Sequence, residues 1–350
     1  MTNQERIDQL EALPRDELRA LLESYSPQDA EYLFLRARQI RERVYGRAVY
    51  LRGLIEISSY CGNDCYYCGL RKSNRKAQRY RLSKEEIFAC CANGYALGLR
   101  TFVLQGGEDP WFDDARLCEI VGEIRRGYPD CAITLSLGER SRGSYAALFA
   151  AGANRYLLRH ETANEYHYRL LHPPELTLQN RLRCLRDLRE IGYQVGCGFM
   201  VGSPGQSVDC LLDDLAFLRA FRPEMVGIGP FLPHGDTPFA KEPPGSSELT
   251  LLLLGIVRVL LPGSLLPATT ALGTASSNGR ERGLLAGANV IMPNISPASV
   301  RGKYLLYDGK ETRGVEGLKD SAEALGLEVV NGRGDAISID NGGNYEIQHS

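Results

Sequence analysis

The chain has 350 residues, of which 43% are hydrophobic, enough to bury the core of one large domain or two modest ones. Its 41 basic and 43 acidic residues leave a formal net charge of −2, so charge gives no reason to expect nucleic acid or an anionic membrane as the main partner. The most apolar stretch, residues 249–268, contains Arg258 and Pro262 and is interpreted as a buried helix followed by a strand. The N-terminus lacks the apolar core of a signal peptide, so we expect a soluble, cytoplasmic protein.

The predicted elements begin with helices and continue as an alternation. Residues 1–50 are charged and amphipathic, and we expect them to form a helical extension. Short β-rich runs then alternate with helical patterns, such as 83–98, which starts with a capping-box sequence, and 178–192, which ends on glycine. The predicted strands lie at 54–58, 101–105, 132–137, 155–159, 194–201, 225–231, 265–270 and 289–293.

This alternation predicts an α/β fold, a complete parallel (β/α)8 TIM barrel over residues 51–308, with a doubly wound open sheet as the alternative. We expect residues 309–350, which are rich in glycine and charge, to form a short peripheral C-terminal segment without chemistry. Polar residues follow the carboxyl ends of several predicted strands. In a barrel these ends meet at one mouth, where active sites are built.

Three of the ten cysteines, Cys61, Cys65 and Cys68, form a C-x3-C-x2-C pattern after the first barrel strand. Three cysteines in a polar loop are more typical of a ligand set than of a core. They could bind zinc with a fourth ligand from elsewhere, or three irons of a [4Fe–4S] cluster whose fourth iron stays open. The spacing leaves both possibilities open. Other scattered cysteines are expected to be buried free thiols.

The cysteine pattern, with the aromatic Tyr67 before the last cysteine, is similar to the signature of radical S-adenosylmethionine (SAM) enzymes. The resemblance implies a [4Fe–4S] cluster whose open iron is chelated by the amino and carboxylate groups of SAM. It also implies a low-potential electron donor, since one electron from the cluster cleaves SAM and releases a 5′-deoxyadenosyl radical.

Seven further motifs follow the cysteine loop in chain order. They are VLQGGEDP (103–110), TLSLGE (134–139), RYLLRHETAN (155–164), MVGSPGQ (200–206), MVGIGPFLPHGDTPFA (225–240), PATTALGT (267–274) and GANVIMPNISP (287–297). Together they resemble the HydE family, the radical SAM maturases of the [FeFe]-hydrogenase active site. The resemblance implies that the radical attacks the cysteine sulfur of an iron–carbonyl–cyanide–cysteine precursor. The implied partners are the maturase that delivers this small organometallic substrate, other hydrogenase maturases and the electron donor, with no nucleic acid and no membrane.

The same resemblance assigns two groups of site residues. In the cofactor group, Glu161 would bind the ribose hydroxyls of SAM and Arg181 its carboxylate. The substrate group offers hydroxyls and a guanidinium that suit an anionic substrate. Met292 and Tyr304 border both groups and are assigned to the cofactor. The cofactor group is Tyr67, Gln105, Gly106, Gly107, Glu108, Ser136, Glu161, Arg181, Met200, Met292 and Tyr304, and the substrate group is Thr134, Arg159, Thr269, Thr270 and Tyr307.

The site assignments and the HydE-type reaction both have alternatives, namely ordinary structural roles for the residues and related enzyme chemistries for the chain. Glu161 could simply pair with Arg159, and we expect His160 to be structural. The chain could also be a mutase resembling methylornithine synthase, a sulfur-insertion enzyme resembling biotin synthase, or a non-catalytic iron–sulfur carrier. Sulfur insertion would need cysteines that face into the barrel, but strand alternation turns Cys131 and Cys197 away from the mouth.

Overall fold

Helices and parallel strands alternate along the chain after a helical N-terminus. The structure, a computed structural model, describes residues 1–311, 313–339 and 345–347. Its helices are α1 (Asn3–Asp8), α2 (Arg15–Ser24), α3 (Pro27–Tyr45), α4 (Lys84–Ala96), α5 (Asp114–Gly127), α6 (Arg142–Ala150), α7 (Glu165–Leu171), α8 (Leu178–Ile191), α9 (Val208–Phe221), α10 (Ser247–Leu260), α11 (Thr270–Ala275), α12 (Gly279–Leu285), α13 (Ala298–Arg301) and α14 (Val315–Ala324), with a short 3₁₀ helix at Leu10–Ala12.

The strands are short and mostly buried. They are β1 (Ala48–Leu51), β2 (Gly53–Ser58), β3 (Thr101–Gly106), β4 (Ala132–Ser136), β5 (Arg155–Leu157), β6 (Gln194–Cys197), β7 (Met200–Val201), β8 (Met225–Val226), β9 (Gly229–Pro230), β10 (Val290–Ile291), β11 (Glu328–Val330), β12 (Ile337–Ile339) and β13 (Tyr345–Ile347).

Local sequence explains where the predicted helices start and stop. The Ser83 hydroxyl accepts a hydrogen bond from the Glu86 N–H, and the Glu86 carboxylate accepts one from the Ser83 N–H, so the predicted capping box of α4 is confirmed. Helix α8 ends at Gly192, whose φ of 110° lies in the left-handed region that favours glycine. Helix α10 is buried along most of its length. Among the described residues, no helix combines the length and apolarity needed to cross a bilayer.

Six parallel strands form the central sheet, in the order β2-β3-β4-β5-β6-β8. Strand and helix alternate, so the predicted α/β class is confirmed. Past β8, the chain continues through single parallel bridges that join Met225 to Leu265, Pro267 to Val290, and Asn294 back to Leu54 of β2. The carboxyl ends of these strands therefore lie at one end of the domain.

The predicted strand 225–231 is observed as two short strands, β8 and β9. Two other predicted strands differ from the observed structure for clear reasons. The run 194–201 is split because Gly198 has φ of 148°, and a Cβ there would lie 2.0 Å from the Gly227 carbonyl oxygen. The run 265–270 forms bridges but no regular strand. Pro267 has no N–H to donate to a ladder, and Thr269 already caps α11.

The N-terminal helices pack directly on the barrel-like body. Helix α3 packs against α10, where Gly255 allows close approach, since a Cβ there would lie 3.1 Å from Leu33. Arg41 of α3 is buried and donates to the Leu284 carbonyl at 2.7 Å. Strand β1, which the sequence patterns did not reveal, pairs in parallel with β10 and β11. The predicted boundary at residue 50 therefore cuts through a strand.

The C-terminal segment is more than a peripheral appendage, which corrects the expectation for residues 309–339. Its strand β11 pairs with β1, and its loop covers the amino ends of the central strands. There the fully buried Arg155 donates to the Gly334 carbonyl at 3.0 Å and pairs with Asp335 at 2.7 Å. Residues 312, 340–344 and 348–350 of the predicted segment lie outside the described residues.

Candidate active site

A cavity of about 330 Å³ lies toward the carboxyl ends of the central strands. Sixteen of the predicted site residues line it, coming from the cysteine loop, from β3 to β7 and from the loops after β9 and β10. The structure thus brings together residues that are up to 242 positions apart in sequence, Cys65 and Tyr307 being the extremes. The exceptions are Cys61, Gly107 and Glu108, which lie beside the cavity.

The cysteine loop starts after β2 and is held in place by hydrogen bonds of its backbone N–H groups. The Gly62 N–H donates to the Glu108 carbonyl at 2.8 Å, and the Asn63 N–H approaches the Cys61 Sγ at 3.4 Å. All three cysteines are free and half-buried. Burial raises the pKa of each thiol, that of Cys68 to about 12, so deprotonation requires a bound cation.

The donor set suits a cluster better than a single ion. Among the described residues, no three His, Cys, Asp or Glu side chains converge closely enough to hold one metal ion. A [4Fe–4S] cluster does not require such convergence, because each thiolate binds a different iron. Cys65 and Cys68 line the cavity, so a cluster held by the three cysteines would border it.

Gly107 of the QGGE motif serves the cysteine loop. A Cβ at Gly107 would lie 2.2 Å from the Tyr60 carbonyl oxygen and 2.7 Å from the Cys61 Cβ. The close approach that requires glycine is therefore made by the loop that carries the cysteines, rather than by a ligand. Glu108 accepts a hydrogen bond from the Glu139 N–H at 2.9 Å, and burial raises its pKa.

Tyr67 is fixed by a histidine that the sequence patterns did not indicate. The Tyr67 hydroxyl lies 3.2 Å from Nε2 of His172, and Nδ1 of His172 lies 2.9 Å from the Tyr168 carbonyl. Because a carbonyl only accepts, Nδ1 carries the proton and Nε2 accepts from Tyr67. Burial lowers the pKa of His172 to about 3, so the ring is neutral.

Glu161 and its two arginine neighbours form the charged side of the cavity. Glu161 has φ of 65°, which is rare for a residue with a Cβ and is typical of functional sites. Its Oε2 lies 3.2 Å from Nη2 of Arg159. Arg181 donates to Glu139 at 2.6 Å and to the Arg159 carbonyl at 2.8 Å, so its own orientation is fixed before any ligand binds.

Several buried polar atoms of this cavity have no hydrogen-bond partner among the described residues. They are the hydroxyl of Thr134, Nε and Nη2 of Arg159, and Oε2 of Glu161. The Arg159–Glu161 contact is short enough for an ion pair but is not aligned as a hydrogen bond. Buried polar groups are normally satisfied, because leaving one unpaired costs roughly 1–3 kcal/mol. The cavity is therefore built for a polar ligand.

The remaining predicted residues complete the wall. Thr269 caps α11 by accepting from the Leu272 N–H at 3.4 Å, and Thr270 is the first residue of that helix. The buried Tyr304 hydroxyl accepts from Gln105 Nε2 at 3.3 Å. Burial raises the pKa of Tyr307 to about 12, so its hydroxyl stays protonated. Ser136, Gly106, Met200 and Met292 also line the cavity.

A buried ion pair in the cavity was missed by the sequence patterns. Glu56 of β2 is fully buried, and its carboxylate contacts the Nζ of Lys310 and accepts from Asn294 Nδ2 at 2.8 Å. Burial raises the pKa of Glu56. The charged residue inside the apolar run LIEIS was the one available signal. Lys310 carried none, since it follows the predicted barrel.

Residues proposed for other roles are used in the core. Cys131 and Cys197 are fully buried in the hydrophobic core, and neither lines the cavity, as strand alternation predicts. His160 accepts from the Gly198 N–H through Nδ1 and donates from Nε2 to Asp214, both at 3.2 Å. Burial lowers its pKa to about 3, so it is a neutral structural histidine.

The chain is similar to several known proteins. Residues 55–218 match the family model of the Radical SAM superfamily. The [FeFe] hydrogenase maturase subunit HydE of Thermotoga maritima is 46% identical over 312 residues, covering 89% of each chain. The crystal structure of methylornithine synthase (PylB) has a TM-score of 0.83 and 26% identity, covering 94% of this chain and 97% of that one. The maturase HydG from Carboxydothermus hydrogenoformans shares the fold, with a TM-score of 0.80, 21% identity, and coverage of 93% and 77%.

The parallel α/β fold, the three-cysteine loop and the family match define the class: this chain is a radical SAM enzyme, and enzymes of that class use a [4Fe–4S] cluster and SAM. Within the class it belongs to the HydE family of hydrogenase maturases.

Proposed function

We propose that this enzyme acts on an iron–carbonyl–cyanide–cysteine precursor during assembly of the [FeFe]-hydrogenase diiron site. The observation that carries the proposal is the set of buried polar atoms of Thr134, Arg159 and Glu161 that have no hydrogen-bond partner among the described residues and lie in a largely apolar cavity. An anionic substrate with a carboxylate and cyanide ligands would supply acceptors for the guanidinium and the hydroxyl.

In this proposal Cys61, Cys65 and Cys68 hold three irons of the cluster. When bound, the cluster and SAM together supply a 5′-deoxyadenosyl radical. Tyr67 would contact the adenine, with its hydroxyl held by His172. Gln105 and Gly106 would lie beside the methionyl amino group.

The charged side of the cavity would orient SAM. Glu161 would accept from the ribose hydroxyls, since one of its oxygens has no hydrogen-bond partner among the described residues. Arg181, fixed by Glu139, would pair with the SAM carboxylate. Ser136, Met200, Met292 and Tyr304 would complete the cofactor pocket, and Gly107 and Glu108 would support it from behind the loop.

The substrate would lie deeper, between strands rather than at the rim. Arg159 and Thr134 would bind it by hydrogen bonds, and Thr269, Thr270 and Tyr307 would provide further hydroxyls. Because the lining is mostly apolar, water would be excluded from the reacting atoms and charged contacts would be strengthened.

We also propose that the central sheet closes into a complete (β/α)8 barrel. The support is the series of parallel bridges from Met225 through Leu265, Pro267 and Val290 to Asn294 and Leu54. The chain would then divide into an extension (1–50 in the sequence prediction, but ending before β1 at Ala48), the barrel (to 308) and a C-terminal segment (309–350) whose described residues cover the barrel floor. The enzyme would work in the cytoplasm with a partner maturase that delivers the precursor.

The test is a reaction rather than a binding assay. The anaerobic, cluster-loaded enzyme is incubated with SAM, dithionite and the iron–cysteine product of the partner maturase. We expect 5′-deoxyadenosine to form while the infrared bands of the precursor's carbonyl and cyanide ligands shift. Cys65→Ala should abolish both signals, whereas the matched control Cys118→Ala, at a half-buried thiol outside the cavity, should keep them.

The same assay separates the alternatives. If added L-lysine were converted to 3-methylornithine while the iron precursor stayed unchanged, the enzyme would be a mutase and the proposal would be wrong. Sulfur insertion lacks support, because the described cavity contains no cysteine besides the two cluster ligands Cys65 and Cys68.

A further inference from the structure

A basic and aromatic surface lies next to the cysteine loop, on the outside of the protein. Residues 59–81 contain six basic residues and one acidic residue, although the whole chain has a net charge of −2. The segment follows directly from the cluster-binding cysteines. We define the docking face by the exposed Tyr60, Lys72, Arg75, Arg81 and Trp111, together with the half-buried Arg79.

The docking face is joined to the cysteine loop by short contacts. The Lys72 N–H donates to the Asn63 carbonyl at 2.8 Å, and the Asn63 N–H approaches the Cys61 Sγ at 3.4 Å. Arg79 donates to the Leu70 carbonyl at 2.9 Å and also contacts the Ser59 carbonyl. Electron transfer weakens steeply with distance, so a donor that approached this face would be near the cluster.

The positive charge of the docking face is only partly neutralised. Arg81 is paired with Asp109. Lys72 and Arg75 are exposed, and in the described part of the chain neither contacts a carboxylate. The described hydrogen bonds of Arg79 all go to backbone carbonyls, so its charge is also uncompensated. Such a field attracts an acidic partner and speeds its association.

Two exposed aromatic rings lie among the basic side chains of the docking face. Tyr60 is 36% exposed and Trp111 40% exposed, so both rings can contact a partner. The Arg81 guanidinium lies 3.9 Å from the Tyr60 ring centroid and 5.7 Å from that of Trp111, and Asp109 holds it there with two hydrogen bonds. Tyrosine, tryptophan and arginine are the residue types that dominate the binding energy of protein interfaces.

We propose that the docking face binds a small acidic protein that carries a low-potential redox centre and reduces the cluster. One electron passes from the reduced centre of the donor to the [4Fe–4S] cluster, so the donor is oxidised and the cluster reduced, and no atom or proton is transferred. The inference rests on the cluster part of the proposed function and is independent of the substrate.

Trp111 is the only tryptophan of the chain, so its fluorescence reports on this face. The probe is a tryptophan-free acidic plant-type ferredoxin, whose potential is about −400 mV. We expect saturable quenching of Trp111 that weakens as salt is added. Arg75→Glu should raise the Kd about fivefold at low ionic strength, with much less effect at 0.5 M salt.

The matched control is Arg126→Glu, which makes the same charge change at the far end of α5. Arg126 is exposed and, like Arg75, contacts no carboxylate among the described residues. The Kd of the Arg126→Glu variant for the ferredoxin should stay within about twofold of the Kd of the unaltered protein. A second measurement follows cluster reduction by stopped flow. Arg75→Glu should slow reduction by the ferredoxin but not by dithionite.

Three results would overturn the proposal. They are the absence of saturable quenching by the ferredoxin, equal effects of Arg75→Glu and Arg126→Glu, and stronger quenching by a single-stranded RNA oligonucleotide than by the ferredoxin. The last would make the surface a nucleic-acid site. The fluorescence assay needs no turnover, so the two proposals fail separately. If only the proposed reaction is wrong, the ferredoxin still quenches Trp111 but the iron precursor stays unchanged.

Discussion

Substituting Gly107 by alanine should displace the cysteine loop. The new Cβ would lie 2.2 Å from the Tyr60 carbonyl oxygen, whereas real Cβ atoms essentially never approach within 3.0 Å. The loop would have to move by about 0.8 Å, the difference between these distances. The Cys61 Cβ, at 2.7 Å, would have to move as well. Overpacking of this kind costs about 1–3 kcal/mol, and here the displaced residue is a cluster ligand.

The assay is iron and sulfide content after anaerobic reconstitution, together with the visible absorbance of the cluster. We expect Gly107→Ala to lose most of its cluster. The control is the neighbouring Gly106→Ala, whose Cβ would meet only ordinary contacts at 3.4 Å or beyond and should leave the cluster content unchanged. If Gly107→Ala bound as much iron as Gly106→Ala, the steric role of Gly107 would be refuted.

Three further predictions concern the buried polar groups. Lys310→Met should destabilise the protein by about 3–5 kcal/mol in urea unfolding, because it leaves the Glu56 carboxylate buried without its cation. The double variant with Glu56→Gln should recover much of that loss. A cost of Lys310→Met below about 1 kcal/mol would contradict the role of the ion pair. Thr134→Val should leave stability unchanged or raise it by up to about 1 kcal/mol, since no described residue hydrogen-bonds to the hydroxyl, while consumption of the iron precursor falls. A marked loss of stability would show that the hydroxyl is satisfied. The His160 pKa of about 3 lies below the ordinary 6.5, so between these pH values the unfolded chain binds a proton that the folded chain does not. The contribution of neutral His160 to stability is therefore full above pH 6.5. It falls by about 1.4 kcal/mol per pH unit as the pH drops toward 3. Urea midpoints between pH 7.5 and 5 should therefore depend less on pH in His160→Gln, and an unchanged slope would contradict the neutral assignment.

Short-range patterns predicted the parts of the fold that depend on local chemistry. The capping box at Ser83 and the glycine end of α8 are both observed, because each is set by residues within one helical turn. Strand alternation placed Thr134 and Ser136 on the cavity side and Cys131 in the core, since side chains on a strand point to opposite faces in turn.

Long-range contacts were not visible in the sequence. The pairing of Lys310 with Glu56 joins positions 254 residues apart. A local pattern marks Glu56 as a charged residue in an apolar run, but no pattern identifies Lys310 as its partner. The role of the C-terminal loop under Arg155 was missed for the same reason, because glycine and charge in a chain predict exposure unless a buried partner is known. Gly107 shows a third case. The sequence assigned it to the cofactor group, but only the structure identified the cysteine loop as its neighbour.

The central claim, that three cysteines hold a cluster whose open iron takes SAM inside this cavity, is tested most directly by electron paramagnetic resonance. The cluster is reduced anaerobically and its spectrum is recorded before and after SAM is added. The account predicts that SAM changes the spectrum and that Cys65→Ala shows no such cluster signal. An unaltered spectrum in excess SAM would contradict the claim and leave a simple iron–sulfur carrier.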